Sequence, residues 1–159
     1  WAIISLLVEN KTGILFKVTN LFRSRNFNIE SISVGVTENP DYSRMTITTN
    51  SDEKRVTQIV KQLDKMIDTV DVKHLDENKT VYRELCLFMI KISKASDSME
   101  INKIATAYGG KVHDVKKESI MVELTATPHQ IQAFEELIKP FGIIDVARTG
   151  VAALQRSGS

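Results

Sequence analysis

The chain has 159 residues, with 21 lysines and arginines against 20 aspartates and glutamates, for a formal net charge of +1. That length holds one ordinary domain or two small ones, and 42% apolar with 26% charged residues is globular rather than disordered composition. So near neutrality nothing calls for a polyanionic partner, and the longest apolar runs, such as Leu6 to Val8, fall far short of a bilayer span, so neither nucleic acid nor membrane is expected.

In chain order, Ala2 to Val8 reads as a short buried strand. Ile14, Leu15, Val18, Leu21 and Phe22 then form one helical stripe. From Phe27 to Val36 the chain alternates, with a change of phase near Glu30 and Ser31 that predicts a bulge. "ENPDYS" (Glu38 to Ser43) is a turn cluster, and Met45, Ile47 and Thr49 continue as a strand. Ser51 or Asp52 caps a second helix carrying Val56, Ile59, Val60, Leu63 and Ile67, and Val70 to Leu75 alternates again. That half reads β-α-β-β-α-β.

After the polar "DENKT" (Asp76 to Thr80) the order returns, with a strand from Tyr82 to Ile92. Within it lies Cys86, a lone cysteine that excludes an internal disulfide and suits a reducing compartment. Ser98 is the expected cap of a helix bearing Ile101, Ile104, Ala105 and Tyr108, which Gly109 and Gly110 stop. Val112 to Val115 and Ile120 to Leu124 form a hairpin, and Thr127, Pro128 and Gln130 make a capping box for Ile131, Phe134, Leu137 and Ile138. Ile143 to Val146 closes the second β-α-β-β-α-β unit. The predicted fold class is α+β, two ferredoxin-like sandwiches in tandem, with domains at 1–76 and 81–159 joined by a linker at 77–80. Units of about 70 residues have marginal cores and leave one sheet face and an edge strand bare, so self-association to a dimer or larger is expected.

Most chemistry can be set aside. His74, His113 and His129 lie in distant segments, without ligand spacing, and no nucleophile elbow occurs. "YGGK" (Tyr108 to Lys111) ends a helix instead of starting one, where the dipole repels an anion. The two central strands of the first sandwich, "AIISLLV" and "SRMTITT", hold no aromatic for stacking RNA bases. The first turn has Lys11 but no phosphate-gripping arginine, and no C-x-x-C is present. What survives is "ENKTG". Gly13 sits where strand leads into helix, so the amides of Gly13, Ile14 and Leu15 are candidate orphan donors for a small carboxylate, with the Asn10 amide beside them. A tight turn capped by Asn10 or Thr12 is the simpler alternative on local chemistry alone. In the same way Asn28, between Phe27 and Ile29, is either a ligand contact or a solvent-facing alternation position.

"NKTGILFKVTNLFRSRNFNIESISVG" resembles the N-terminal signature of the ACT domain in the small regulatory subunits of acetohydroxyacid synthase (acetolactate synthase). "DYSRMTI", "EKRVTQIVKQLDKMIDTVDV", "YRELCLFMIKI", "VHDV" and "DVARTGVAALQR" continue the likeness in order, from Ile3 to Arg156. The resemblance implies a non-catalytic subunit that binds and activates a catalytic partner and makes it sensitive to valine, in branched-chain (valine, leucine, isoleucine) biosynthesis. It implies a homodimer through the ACT domain, with valine held by Asn10, Gly13, Ile14 and Leu15 of one protomer and Asn28 and Ile29 of the other. No cofactor is implied in this chain; thiamine diphosphate, Mg and FAD would belong to the catalytic partner. Cytoplasmic location is expected, or a plastid or mitochondrion in a eukaryote. The second sandwich has no counterpart of "NKTG" at "SKASDS" (Ser93 to Ser98) and is left as a structural, partner-contacting or degenerate amino-acid domain. Two rivals stand beside this reading: an ACT-type amino-acid sensor serving another partner, and a purely structural assembly module.

Overall fold

The computed structural model describes residues 1–158. The first half runs β1 (Ala2–Glu9), α1 (Ile14–Ser24), β2 (Ser31–Val36), β3 (Tyr42–Thr49), α2 (Glu53–Asp64) and β4 (Thr69–Leu75). The second runs β5 (Thr80–Lys91), α3 (Ala95–Ala107), β6 (Lys111–Val115), β7 (Ser119–Ala126), α4 (Pro128–Ile138) and β8 (Ile143–Gln155). Strand order is β2-β3-β1-β4 in one sheet and β6-β7-β5-β8 in the other, which is the ferredoxin-like arrangement twice.

The first core follows directly from strand alternation. Ala2, Ile4, Leu6 and Val8 of β1 share a face with Met45 and Ile47 of β3, and against it pack Val18 and Phe22 of α1 and Val56, Ile59 and Leu63 of α2. In the second, Cys86, Phe88 and Ile90 meet Ile101 and Ala105 of α3 and Ile131, Phe134 and Ile138 of α4. Burial pushes the Cys86 thiol up to about 11, so it behaves as a core hydrophobe.

Capping is as expected for α2, where the Asp52 carboxylate accepts from the Arg55 amide at 2.8 Å, and for α4, where Thr127 and Gln130 exchange bonds of 3.3 and 3.0 Å. Helix α3 differs: it begins at Ala95, upstream of Ser98, because Asp97 accepts from the Ser93 and Lys94 amides. These two bonds hold the Asp97 carboxyl below its ordinary range.

Other details also depart from the periodicity. Leu15 and Leu137 match the helical stripes, yet they are 44% and 48% exposed. Ile67 lies beyond the end of α2 and is 91% exposed. No bulge interrupts β2: residues 27–30 precede the ladder, and β2 pairs with β3 in continuous register from Ser31↔Thr48 to Val36↔Ser43. The phase change therefore marks entry into the sheet, while a register shift occurs at Leu7/Val8 between β1 and β4.

The last strand runs well past Val146, to Gln155. At Gly150 the backbone takes φ +86°, a region open to glycine, and from Val151 on the chain groups with the first unit. Contacts thus divide the chain into Trp1–Tyr82 together with residues from 151 on, and Arg83–Gly150, whereas the sequence placed boundaries at 76 and 81. Val151 and Ala153 pack with Ile3 and Leu75 on the helix-free face of the first sheet, partly covering a face expected to be bare. The Arg156 amide donates to the Lys79 carbonyl at 2.7 Å.

Gly110 closes α3 onto β7, and a Cβ there would lie 3.0 Å from the Glu123 carbonyl oxygen and 3.1 Å from that of Ala105. Both obstacles are backbone. Gly110→Ala is expected to lower stability by about 1–3 kcal/mol in urea unfolding. An unchanged midpoint would contradict this close approach.

Candidate functional site

Strand β1 ends at Glu9, and the turn Asn10–Gly13 carries the chain into α1. Gly13 is the N-cap, at φ +83°, and no side chain caps the helix start. The Ile14 amide is engaged by the Lys11 carbonyl at 3.3 Å, so the uncapped amides of the first turn are those of Leu15 and Phe16. A Cβ on Gly13 would meet nothing within 4 Å, which leaves the approach to these amides open. Ile14 buries its side chain in the core and can offer a ligand only its backbone, whereas Leu15 and Phe16 stand exposed beside the turn.

The Asn10 side chain has partners within the chain. Its Nδ2 donates to the Pro40 carbonyl at 3.1 Å and its Oδ1 accepts from Ser43 Oγ at 3.1 Å. The side chain ties the turn to the β2–β3 hairpin and keeps one N–H for other uses. The nearby cations are likewise occupied. Lys11 Nζ lies 2.6 Å from Glu9 and 3.5 Å from Asp68, and Lys17 Nζ lies 2.8 Å from Asp68. Lys17, bonded to the buried Asp68, holds that carboxyl below its ordinary value, and Glu9 holds the Lys11 ammonium above its own. A ligand carboxylate at this turn would therefore meet backbone donors and the helix dipole more than a free ammonium. Asp68 and Lys17 escaped sequence analysis because the pairs span 57 and 51 residues and leave no local signal.

Asn28 and Ile29 are positioned by other contacts. Asn26 adopts φ +57°, and the Arg55 guanidinium donates to the Arg25 and Asn26 carbonyls while lying 4.7 Å from the Phe27 ring centroid. Thr49 Oγ1 donates to the Asn28 carbonyl at 2.6 Å, which leaves the exposed Asn28 side chain on a fixed backbone. Ile29 is half-buried against the first core. Asn10 bonds Ser43 and Asn28 bonds Thr49, six residues apart along β3, so about 20 Å separates the two groups within one chain. The 11 residues of α1, about 16 Å long, lie between them. No single copy of the chain brings them together.

His113 bonds Glu123 across β6 and β7 at 2.6 Å. Among the described residues no group of three or more His, Cys, Asp or Glu could hold a metal ion, and no helix is long and apolar enough to cross a membrane.

Comparison with known proteins settles the family. The profile described as "AHAS small subunit-like ACT domain" matches residues 4–71, and "Small subunit of acetolactate synthase" matches residues 83–157. The chain belongs to the acetolactate synthase small-subunit family. A probable acetolactate synthase small subunit of Methanothermobacter thermautotrophicus is 43% identical over 154 residues, covering 97% of this chain and 92% of the relative. The acetolactate synthase small subunit of Bacillus subtilis is 42% identical over 155 residues, covering 97% and 90%. The crystal structure of the small subunit of acetolactate synthase from Thermotoga maritima superposes with a TM-score of 0.88 at 36% identity, covering 99% of this chain and 98% of that one. The first unit of this small subunit is accordingly an ACT domain, and Gly13 opens its first helix.

The depressed Asp68 carboxyl contributes stability that is fully present above the ordinary aspartate value of ~3.9 and is lost as pH falls through the lower folded value. Asp68→Asn is expected to lower the urea midpoint at pH 7 and to converge with wild type under acid. A gap that stayed constant from pH 7 to pH 3 would remove the ion pair from the stability of this turn.

Proposed function

We propose that this acetolactate synthase small subunit is non-catalytic, that it binds and activates the catalytic subunit, and that valine at a seam between two ACT domains provides feedback inhibition. The observation that carries the reading is the uncapped start of α1 at Gly13, since α2 and α4 both have a side-chain oxygen on their first-turn amides. β2 is an edge strand, and exposed Val34 and Val36 on it accompany exposed Leu15 and Phe16 on α1. Antiparallel pairing of two such edges sets the Gly13 turn of one copy against Asn28 and Ile29 of its partner. The amides then receive the carboxylate, the asparagine amides receive the polar groups, and Leu15 with Ile29 favours a small branched side chain. Thiamine diphosphate, Mg and FAD belong in this scheme to the catalytic partner.

Inhibition requires that valine bind one arrangement of the assembly better than another, with a coupling of about 1–3 kcal/mol being usual. Because the site draws on two chains, valine also strengthens dimerisation.

Calorimetric titration with valine, leucine, isoleucine and alanine tests the reading. Wild type is expected to bind valine saturably. Gly13→Asp, whose new side chain enters open space at an αL position that aspartate tolerates, is expected to weaken it at least about 100-fold while still activating the catalytic subunit. A variant that kept full valine sensitivity would move the site elsewhere.

A further inference from the structure

On the helix-free face of the first sheet, strand alternation lines up Ser33 with Thr46 and Gly35 with Arg44, while Ser5 pairs with Thr46 on β1. Arg44 is half-buried there, and its Nη1 donates to Ser5 Oγ at 2.7 Å, Ser5 itself being 4% exposed. Among the described residues no carboxylate pairs with Arg44, in contrast to Arg148, which meets Glu84 at 2.5 Å. Glu38 lines the same groove and forms no ion pair with Arg44. A guanidinium held on one side by a buried hydroxyl, with further donors directed into a groove, is set up to take a carboxylate in fork geometry.

The shape of the groove decides what carries that carboxylate. One wall is formed by residues 33–38, the other by Ala152, Ala153 and Leu154, and Gly35 has nothing within 4 Å of its Cβ position. Four strand residues, 33–36, span about 13 Å, and Thr37 and Glu38 continue the wall beyond them, so the trough has the length of a short peptide segment and is longer than a small metabolite needs. Leu154, 63% exposed, supplies an apolar wall. The trough lies on the sheet face, so β2 can still pair through its edge.

We infer that this trough is a docking site for an extended acidic segment of the catalytic subunit, one of whose carboxylates pairs with Arg44. The inference rests on the regulatory-subunit reading and gives it a contact surface separate from the effector turn. The unpaired Arg44 argues for the acidic character of the occupant, and the tail wall argues for small or apolar neighbours beside the acid.

The test measures association of the full chain with its catalytic subunit, alongside valine titration and the mass of the free small subunit. Arg44→Met and Gly35→Glu are expected to weaken association at least about tenfold. Gly35→Glu adds, in open space, a carboxylate directly across from Arg44 that competes for its free donors while Arg44 itself is kept, so it separates blocking of the trough from loss of the guanidinium. Arg44→Lys is expected to retain part of the affinity, and all three are expected to bind valine as wild type does. Unchanged association in both Arg44→Met and Gly35→Glu would overturn the docking site and leave the regulatory reading intact. A changed mass of the free subunit with unchanged partner affinity would reassign the trough to a second copy of this chain. Failure of the wild-type chain to associate at all would overturn both.

Discussion

The first unit is organised around a strand buried on both sides. Ala2, Ile4, Leu6 and Val8 of β1 face the two helices, while Ile3 and Ser5 face the opposite way and are equally inaccessible. A one-residue slip of β1 against β3 would exchange Ile4 and Leu6 for Ser5 and Leu7 in the core, so the register is strongly specified. That register determines where β1 ends, and with it where Gly13 begins α1. On the other face it sets Ser5 beneath Arg44 and Ile3 beneath Val151. Both candidate surfaces are thus consequences of a single alignment.

Electrostatics refine what that alignment permits. Near the first turn, two lysines are held by Glu9 and the buried Asp68, so the positive potential there comes mainly from peptide dipoles confined to the last few ångströms. Such a field suits a small dipolar ligand and does little to attract a polyanion from a distance. Arg44 on the helix-free face is the reverse case, a localised charge with unmet donors in a shallow surround. The two candidate surfaces thus differ in kind, one a dipole field at a turn and the other a localised charge on a sheet face.

The element order, both cores and the caps at Asp52 and Thr127 were legible in the sequence, because alternation and capping are local. The failures share a cause. Leu15 and Leu137 satisfy a helical stripe broad enough to include residues at its rim, and Ile67 fits a periodicity that the chain had already left. The second half of β8 was missed because Thr149 and Gly150 interrupt alternation where the strand bends toward other neighbours. The place of Gly13 at the start of α1 was legible from its position between strand and helix. The tie from Asn10 to the β2–β3 hairpin was not, since its partners Pro40 and Ser43 are 30 and 33 residues away. Arg44 carried one faint sign, a charge out of phase with Met45 and Ile47.

The return of β8 to the first sheet has a consequence for biosynthesis. Residues 1–82 leave the ribosome early, with the whole β-α-β-β-α-β pattern of the ACT domain already present. Until Val151 and Ala153 emerge, however, Ile3 and Leu75 have only Tyr82 packed against them on the helix-free face. Of the two units, the one translated before the other is completed after it, and for that interval its sheet face carries uncovered apolar surface of the kind that favours aggregation.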